Sequence, residues 1–477
     1  MAENIKKEMD VHKAGLDAQQ VKEEKRQADL RATAAAYTYP TKPEILEQLE
    51  RYQDQKFGLM IHWGLYNQMG IKESWVLVDC FDWTKWQFKP GTTHNEVKEM
   101  YDQLHRGFLP LRFDPKEWAD LAYRAGFRYL VFTAKHHDGF CLWDTATTDY
   151  KVTGSEVPYR NNKNADITKV LFDAFREKGM EISLYYSRAD FACPYYWEEG
   201  YADKPGTARV PSYDPDEKPE KWKKFQEFVY AQLDELVSNY GKINSLWYDG
   251  GCDGVKLGLP EMTEKLREKQ PWMLGVLRGG TGICEDVITP ELFVPDQPIL
   301  VPWETCTVMG KKMYENGSNH TSFGYSYDQD YMTPKEIAHL LLDVVAKGGN
   351  LALNLAPQPD GRLPYRAVLH LEAFSKWMEV FQDAIHCTRP VAPYRVDQWA
   401  FTASKDGSVV NAFYLYNDGE TVPAKLKVPY SGQVKSVTDM RSGKQLACKA
   451  VADGIEIELP NAGTLGDIAD CYTLKVK

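Results

Sequence analysis

The chain has nine cysteines in 477 residues, and no two of them form a Cys-x-x-Cys pair or fall at zinc-finger spacing. This argues against a disulfide scaffold or a structural metal, and the odd number leaves at least one thiol without a partner in the chain. No stretch approaches the ~20 apolar residues of a membrane span. The N-terminus has no apolar core of a signal peptide. Positive charge is outnumbered, with 57 Lys and Arg against 68 Asp and Glu. The net charge of −11 argues against a nucleic-acid or anionic-membrane surface. No Gly-x-Gly-x-x-Gly loop follows the first strand and no P-loop occurs, so nucleotide cofactors find no cradle.

What is present favours a packed core, since 43% of residues are hydrophobic against 26% charged. The stretch Ile243–Gly251 organises the rest. Leu246, Trp247 and Tyr248 suit a buried strand, which ends in Asp249 and breaks on Gly250-Gly251. Three other apolar runs end alike: Phe57–Ile61 in His62-Trp63-Gly64, Tyr129–Ala134 in Lys135-His136-His137-Asp138-Gly139, and Ile182–Leu184 in Tyr185-Tyr186-Ser187. Polar and aromatic tails on several strands meet at one mouth when the strands are parallel and closed.

The rhythm from Asp114 onward supports that closure. Asp114-Pro115 opens a helix before strand Tyr129–Lys135, and Asp166-Ile167 opens another before Glu181–Ser187. Helices at Lys221–Asn239, Pro260–Lys269 and Pro334–Lys347 alternate with strands ending at Asp249, Arg278 and Leu355. The fold class expected is α/β, a (β/α)8-like TIM barrel. Past Arg389-Pro390 short strands with turn signals predict a small antiparallel β-sandwich. The expected division is a polar helical leader (1–36) without chemistry, a barrel (37–388) and the sandwich (389–477).

These tails resemble the retaining α-L-fucosidases of glycoside hydrolase family 29. The resemblance rests on His62-Trp63-Gly64, Thr133–Trp143, Tyr185-Tyr186-Ser187, Leu246–Gly250, Pro302–Cys306 and Lys347–Asn354, in family order. It implies an exo-acting hydrolase that releases terminal α-L-fucose by double displacement, with Asp249 as nucleophile. It implies sugar contacts from His62, Glu73, Trp75, His136, His137, Tyr186, Trp247 and Arg278. A serine separates Glu73 from Trp75, and the Asn-Asp usual before the arginine is missing at Arg278. Glu291 and Glu304 both compete for the acid/base role. Glu291, in a Pro-marked loop past a strand end, is preferred to Glu304, which reads as a strand residue. The implied partner is a fucosylated oligosaccharide or glycoconjugate, with no metal or other cofactor, no nucleic acid and no membrane. A homo-oligomer is allowed. The resemblance suggests a periplasmic, secreted or lysosomal compartment.

The chemistry fits those residue types. Glycoside hydrolysis needs one ionised carboxylate and one protonated carboxyl with a raised pKa. Because fucose lacks a 6-hydroxyl, one wall of its pocket should be apolar. Adjacent His136 and His137 should face opposite ways in a regular strand, and Tyr185 and Tyr186 likewise. Two other readings stand beside this one: a barrel that binds fucosylated glycans without cleaving them, and a metal-dependent barrel hydrolase. The second lacks the His-x-His spacing that places two ligands on one strand face.

Overall fold

The computed structural model describes residues 21–476, apart from 201–208, 279–283, 312, 316–317, 321 and 328. The first 20 residues of the expected leader, 1–20, therefore lie outside the described residues. Seven parallel strands form one sheet: β1 (Phe57–Ile61), β2 (Tyr129–Lys135), β3 (Glu181–Ser187), β4 (Ser245–Asp249), β5 (Leu274–Leu277), β6 (Glu304–Val308) and, after the hairpin β7 (Met313–Glu315) and β8 (Ser318–His320), β9 (Asn350–Asn354). Their spatial order is β5-β4-β3-β2-β1-β9-β6.

The two open edges of that sheet meet through residues 287–291. Val287 bridges to Val276 of β5, Ile288 to Trp303, and Glu291 to Cys306 of β6, all parallel. Ile288 N–H donates to the Pro302 carbonyl (3.1 Å) and Leu292 N–H to that of Cys306 (2.9 Å). This irregular eighth stave completes the ring in chain order, and the barrel expected from the rhythm of strands and helices closes. Glu291 thus lies on a stave that pairs on both sides, where the sequence reads as a loop.

Two apolar layers hold the ring. Met60, Tyr129, Val131, Tyr185, Trp247, Val276, Val287 and Cys306 form a cluster inside the barrel. Phe132, Leu184, Leu246 and Leu353 point outward into a larger cluster with the surrounding helices. Each strand is buried on both faces, which is why these strands read as continuous apolar runs. The helices begin where their caps predict. Asp114 accepts from the N–H groups of Lys116 (2.9 Å) and Glu117 (3.2 Å) ahead of the helix Pro115–Arg124. Thr333 and Glu336 form a capping box ahead of Pro334–Ala346. Caps of this kind contribute about 1 kcal/mol each.

Beyond the last barrel helix, Tyr365–Phe381, the chain turns antiparallel. Six strands from Thr388–Val396 to Ala469–Lys475 make one sheet, and Lys425–Val428, Gly454–Glu458 and Cys448–Val451 make a second. Phe401, Val428, Val437, Ile457 and Leu474 fill the space between them. Trp377 Nε1 donates to the Ala469 carbonyl (2.9 Å), fastening this sandwich to the barrel's helical layer. Among the described residues no helix is long and apolar enough to cross a membrane.

Candidate active site

Four strand ends deliver side chains to one mouth. On β4, alternation sends Trp247 and Asp249 inward while Tyr248 packs outward, its hydroxyl bonded to that of Thr263 (2.9 Å). Gly250 follows at φ +105°, and a Cβ there would lie 2.9 Å from the Ala189 backbone nitrogen. Arg188 holds the turn by donating to the carbonyls of Gly250 (2.5 Å) and Cys252 (2.9 Å). Asp249 therefore stands on a fixed corner.

On β3 the same alternation decides between the two tyrosines. Tyr185 pairs with Trp247 in register and stacks on its ring, with centroids 5.2 Å apart. Its hydroxyl donates to Asp249 Oδ2 at 2.5 Å. Tyr186 faces the other way. Its hydroxyl accepts from Lys135 Nζ (3.0 Å) and donates to Gln232 Oε1 (2.8 Å), in the layer behind the sheet. Tyr186, expected among the sugar contacts, is thus placed behind the sheet, and Tyr185 is the tyrosine that the structure brings to the mouth.

The paired histidines escape the alternation altogether. The β2–β3 register shifts between Thr133 and Lys135, so β2 carries an extra residue and Lys135 turns outward to Asp190 (2.9 Å). A bulge re-aims the side chains that come after it. Both His136 and His137 arrive at the mouth, with ring centroids 4.1 Å apart. Ser187 donates its hydroxyl to the Ala189 carbonyl (2.6 Å), so its oxygen accepts from His137 Nδ1 (2.6 Å). That fixes the proton on Nδ1 and leaves Nε2 as a lone pair, without a hydrogen-bond partner among the described residues and 3.8 Å from Asp249. His62 is held likewise, its Nδ1 on Asn354 Oδ1 at 2.8 Å. Burial lowers the pKa of His62 and of His137 to about 4, so both are neutral near neutrality. Burial also drives the pKa of His136 well below its ordinary value, with the other two rings adding to it.

Asp249 stays ionised. Burial alone would raise its pKa, but His137, Arg278 and the Tyr185 hydroxyl together bring it below the usual carboxylate value. With His137 neutral, Arg278 is the charge facing Asp249, and Tyr185 holds the carboxylate by a hydrogen bond. Arg278 also forms an ion pair with Glu291. Both groups line a cleft of about 500 Å³ together with Asp249, Glu73, Trp75, His137, Phe191 and Leu292. An inner recess of about 40 Å³ continues it between His62, His136, Tyr185, Trp247, Met60 and Cys306.

Glu73 is buried at φ +38°, and the strain is held by three donors on its Oε1: Ser322 Oγ (2.9 Å), Gly324 N–H (2.8 Å) and Phe323 N–H. Trp75 lies on the cleft wall, 4.7 Å from the His137 ring. Glu304 is not at the mouth. It lies inside the barrel, 1% exposed, and accepts from Tyr52 (2.5 Å), Tyr129 (2.5 Å) and Trp247 Nε1 (3.1 Å). Burial raises its pKa despite those bonds. Of the residues expected at the site, only Tyr186 and Glu304 are absent from the cleft and its recess.

Sequence reasoning missed several neighbours. Asn354 ends β9 as a polar group on an apolar strand, the same signal that exposed Asp249. Phe323, whose ring lies 4.8 Å from His62, sits in a segment with no periodic pattern to reveal it. Among the described residues, His, Cys, Asp and Glu do not gather in a group of three or more that could hold a metal ion.

Comparison with known proteins agrees with this geometry. The family model described as alpha-L-fucosidase matches residues 26–383. The tissue α-L-fucosidase of Rattus norvegicus is 28% identical over 437 residues, covering 86% of this chain and 82% of that protein. The solved α-L-fucosidase isoenzyme 1 from Paenibacillus thiaminolyticus superposes with a TM-score of 0.74 at 26% identity, over 91% of this chain and 100% of that one. An α-L-fucosidase from Bacteroides thetaiotaomicron, trapped as a covalent intermediate with 2-fluoro-fucosyl fluoride, has the same fold at a TM-score of 0.71 and 22% identity, over 92% of this chain and 98% of that one.

Proposed function

The chain belongs to the α-L-fucosidase family of glycoside hydrolases, and from that premise we propose that it releases terminal α-L-fucose from fucosylated oligosaccharides or glycoconjugates with retention of configuration. One observation carries the reading: an ionised Asp249 shares a cleft with a second carboxylate, Glu291, and one arginine faces both.

In the first step Asp249 attacks the anomeric carbon as its bond to the leaving oxygen breaks, and Glu291 gives that oxygen a proton. Before that transfer, substrate entry parts the Glu291–Arg278 ion pair and Glu291 takes up a proton from solvent, the one it then gives to the leaving oxygen. In the second step water attacks the anomeric carbon, the bond to Asp249 breaks, and Glu291 takes the water's proton. The lone pairs of His62 and His137 suit ring hydroxyls that donate. Met60, Cys306, Trp247 and Phe323 offer an apolar wall to the methyl carbon that replaces a 6-hydroxyl. None of the residues lining the cleft comes from 389–477, so these steps fall within the proposed catalytic unit, 37–388.

Proton NMR during early turnover of 4-nitrophenyl α-L-fucoside tests the reading. α-L-Fucose is expected first, and initial β-fucose would sink double displacement. Saturable binding of a fucoside with no fucose released over long incubation would instead support a binding protein.

A further inference from the structure

Between β5 and β6 the chain has no helix of its own among the described residues, unlike the other crossovers that precede it. The outer side of the eighth stave would be left bare there. The helix formed by residues 21–36 lies against it instead. Leu30, 7% exposed, joins the main apolar cluster from this helix. Gln27 donates to the Val294 carbonyl (3.1 Å) and accepts from the Asp296 N–H (3.0 Å). Arg31 Nη1 donates to both carboxylate oxygens of Asp296, at 3.0 and 2.9 Å. Arg26 sets its guanidinium 4.4 Å from the Phe293 ring centroid and donates Nη2 to the carbonyl of Glu291 itself, at 2.5 Å.

Glu291 is thus held from two sides, its carboxylate by Arg278 inside the mouth and its peptide by Arg26 outside the barrel. The stave needs such support. It pairs only through isolated bridges, and the next residue, Leu292, sits at φ +59°. Backbone with few ladder bonds opens more readily than a regular strand. Proton transfer to a leaving oxygen demands the opposite, since a displacement of about 1 Å can cost about a hundredfold in rate.

We propose that the 21–36 helix is a clamp on the eighth stave and that Arg26 is a positioning residue for Glu291, setting its carboxyl at the height where it reaches the leaving oxygen. The inference rests on the reading of Glu291 as the acid/base. A helix that merely covers apolar surface would change stability and leave the chemistry of the two steps in proportion.

The test uses the full chain and compares kcat/KM on two substrates: 2-chloro-4-nitrophenyl α-L-fucoside, whose leaving group departs without a proton, and a fucosylated oligosaccharide. R26M removes the donor and keeps a stem of similar length over Phe293. It should lose about tenfold or more on the oligosaccharide and stay within about twofold on the aryl fucoside, with R26K restoring most of the loss. E291A, run alongside, should show the same split at about a hundredfold or more. If E291A shows no split, the reading of Glu291 fails first. If E291A splits and R26M lowers both substrates equally or neither, the clamp is overturned and the helix is only a cover. Should R26M not fold, R26Q, which keeps an amide donor on a shorter stem, is read by the same criterion.

Discussion

Tyr185 donates its hydroxyl to Asp249 Oδ2 at 2.5 Å, while its neighbour Tyr186 turns its own to Lys135 and Gln232 behind the sheet. Two adjacent tyrosines therefore divide into a site residue and a structural one by strand parity alone. Tyr185→Phe removes a bond to a charged acceptor, worth about 1.5–3 kcal/mol. kcat/KM should fall about 10- to 100-fold, with the melting temperature little changed. Tyr186→Phe should do the reverse: activity within about threefold and a stability loss of about 1–2 kcal/mol from the broken buried network. Kinetics and thermal melts on both variants check this, and equal activity losses would refute the division.

Removing Asp249 should stop chemistry without unfolding the chain. Asp249→Gly is expected to cut turnover by about 10⁴ or more, roughly 5–6 kcal/mol of barrier. Azide, small enough to enter where the carboxylate stood, should restore part of the turnover of an activated fucoside and yield a fucosyl azide of inverted configuration. A loss smaller than about tenfold would remove Asp249 from the nucleophile's role.

Acid should destabilise the fold through its buried rings. His62 and His137 have native pKa values lowered from 6.5 to about 4, and His386 to about 3, all by burial first. Between those values the unfolded chain binds protons that the native one refuses. Their contribution is complete above pH 6.5 and is lost as pH falls through about 4. Asp138 opposes them. Burial raises its pKa from 3.8 to about 7, so its contribution is complete below 3.8 and lost as pH rises through about 7. Burial also raises Glu73, Asp166, Asp286 and Glu304, which oppose the histidines as Asp138 does, while His136 joins them, so the histidine share is read by difference. The melting temperature at pH 6.5 minus that at pH 4 should be smaller in His137→Gln than in the unaltered chain, and an equal difference in both would contradict it.

Much of this site could be read in the chain because catalytic barrels put polar groups at the ends of apolar strands. Asp249, His62, His136 and His137 all stand out on that ground. The Tyr185/Tyr186 choice was also legible. In β3, Ser183, Tyr185 and Ser187 alternate with Ile182, Leu184 and Tyr186, and the polar set belongs inside. The resemblance pointed to Tyr186, and the period-two pattern was the better guide. The bulge in β2 left no mark, since a single extra alanine or threonine in an apolar run looks like any other residue. Nor could the eighth stave be seen, because its pairing depends on both flanking strands rather than on its own short, Pro-containing segment. The 21–36 helix hides for a related reason. Its Lys, Glu and Ala composition masks a contact face that includes Gln27 and Leu30.

Glu304 tests whether a raised pKa or reach decides the acid/base. Burial raises its pKa, as a general acid requires, but its two oxygens already accept from Tyr52, Tyr129 and Trp247 within the barrel. Reach comes before pKa in choosing a proton donor, and Glu304 has none to the cleft. Glu304→Ala leaves three buried donors without their acceptor, so the loss should appear as stability, about 3 kcal/mol or more. Activity of whatever remains folded should fall alike on good and poor leaving groups. Glu291→Ala should instead keep much of its kcat/KM for the aryl fucoside, lose it on an oligosaccharide, and regain turnover with azide to give a fucosyl azide of retained configuration. Thermal melts with paired-substrate kinetics separate the two. Should Glu304→Ala show the leaving-group split and azide rescue while Glu291→Ala shows neither, the acid/base role passes to Glu304.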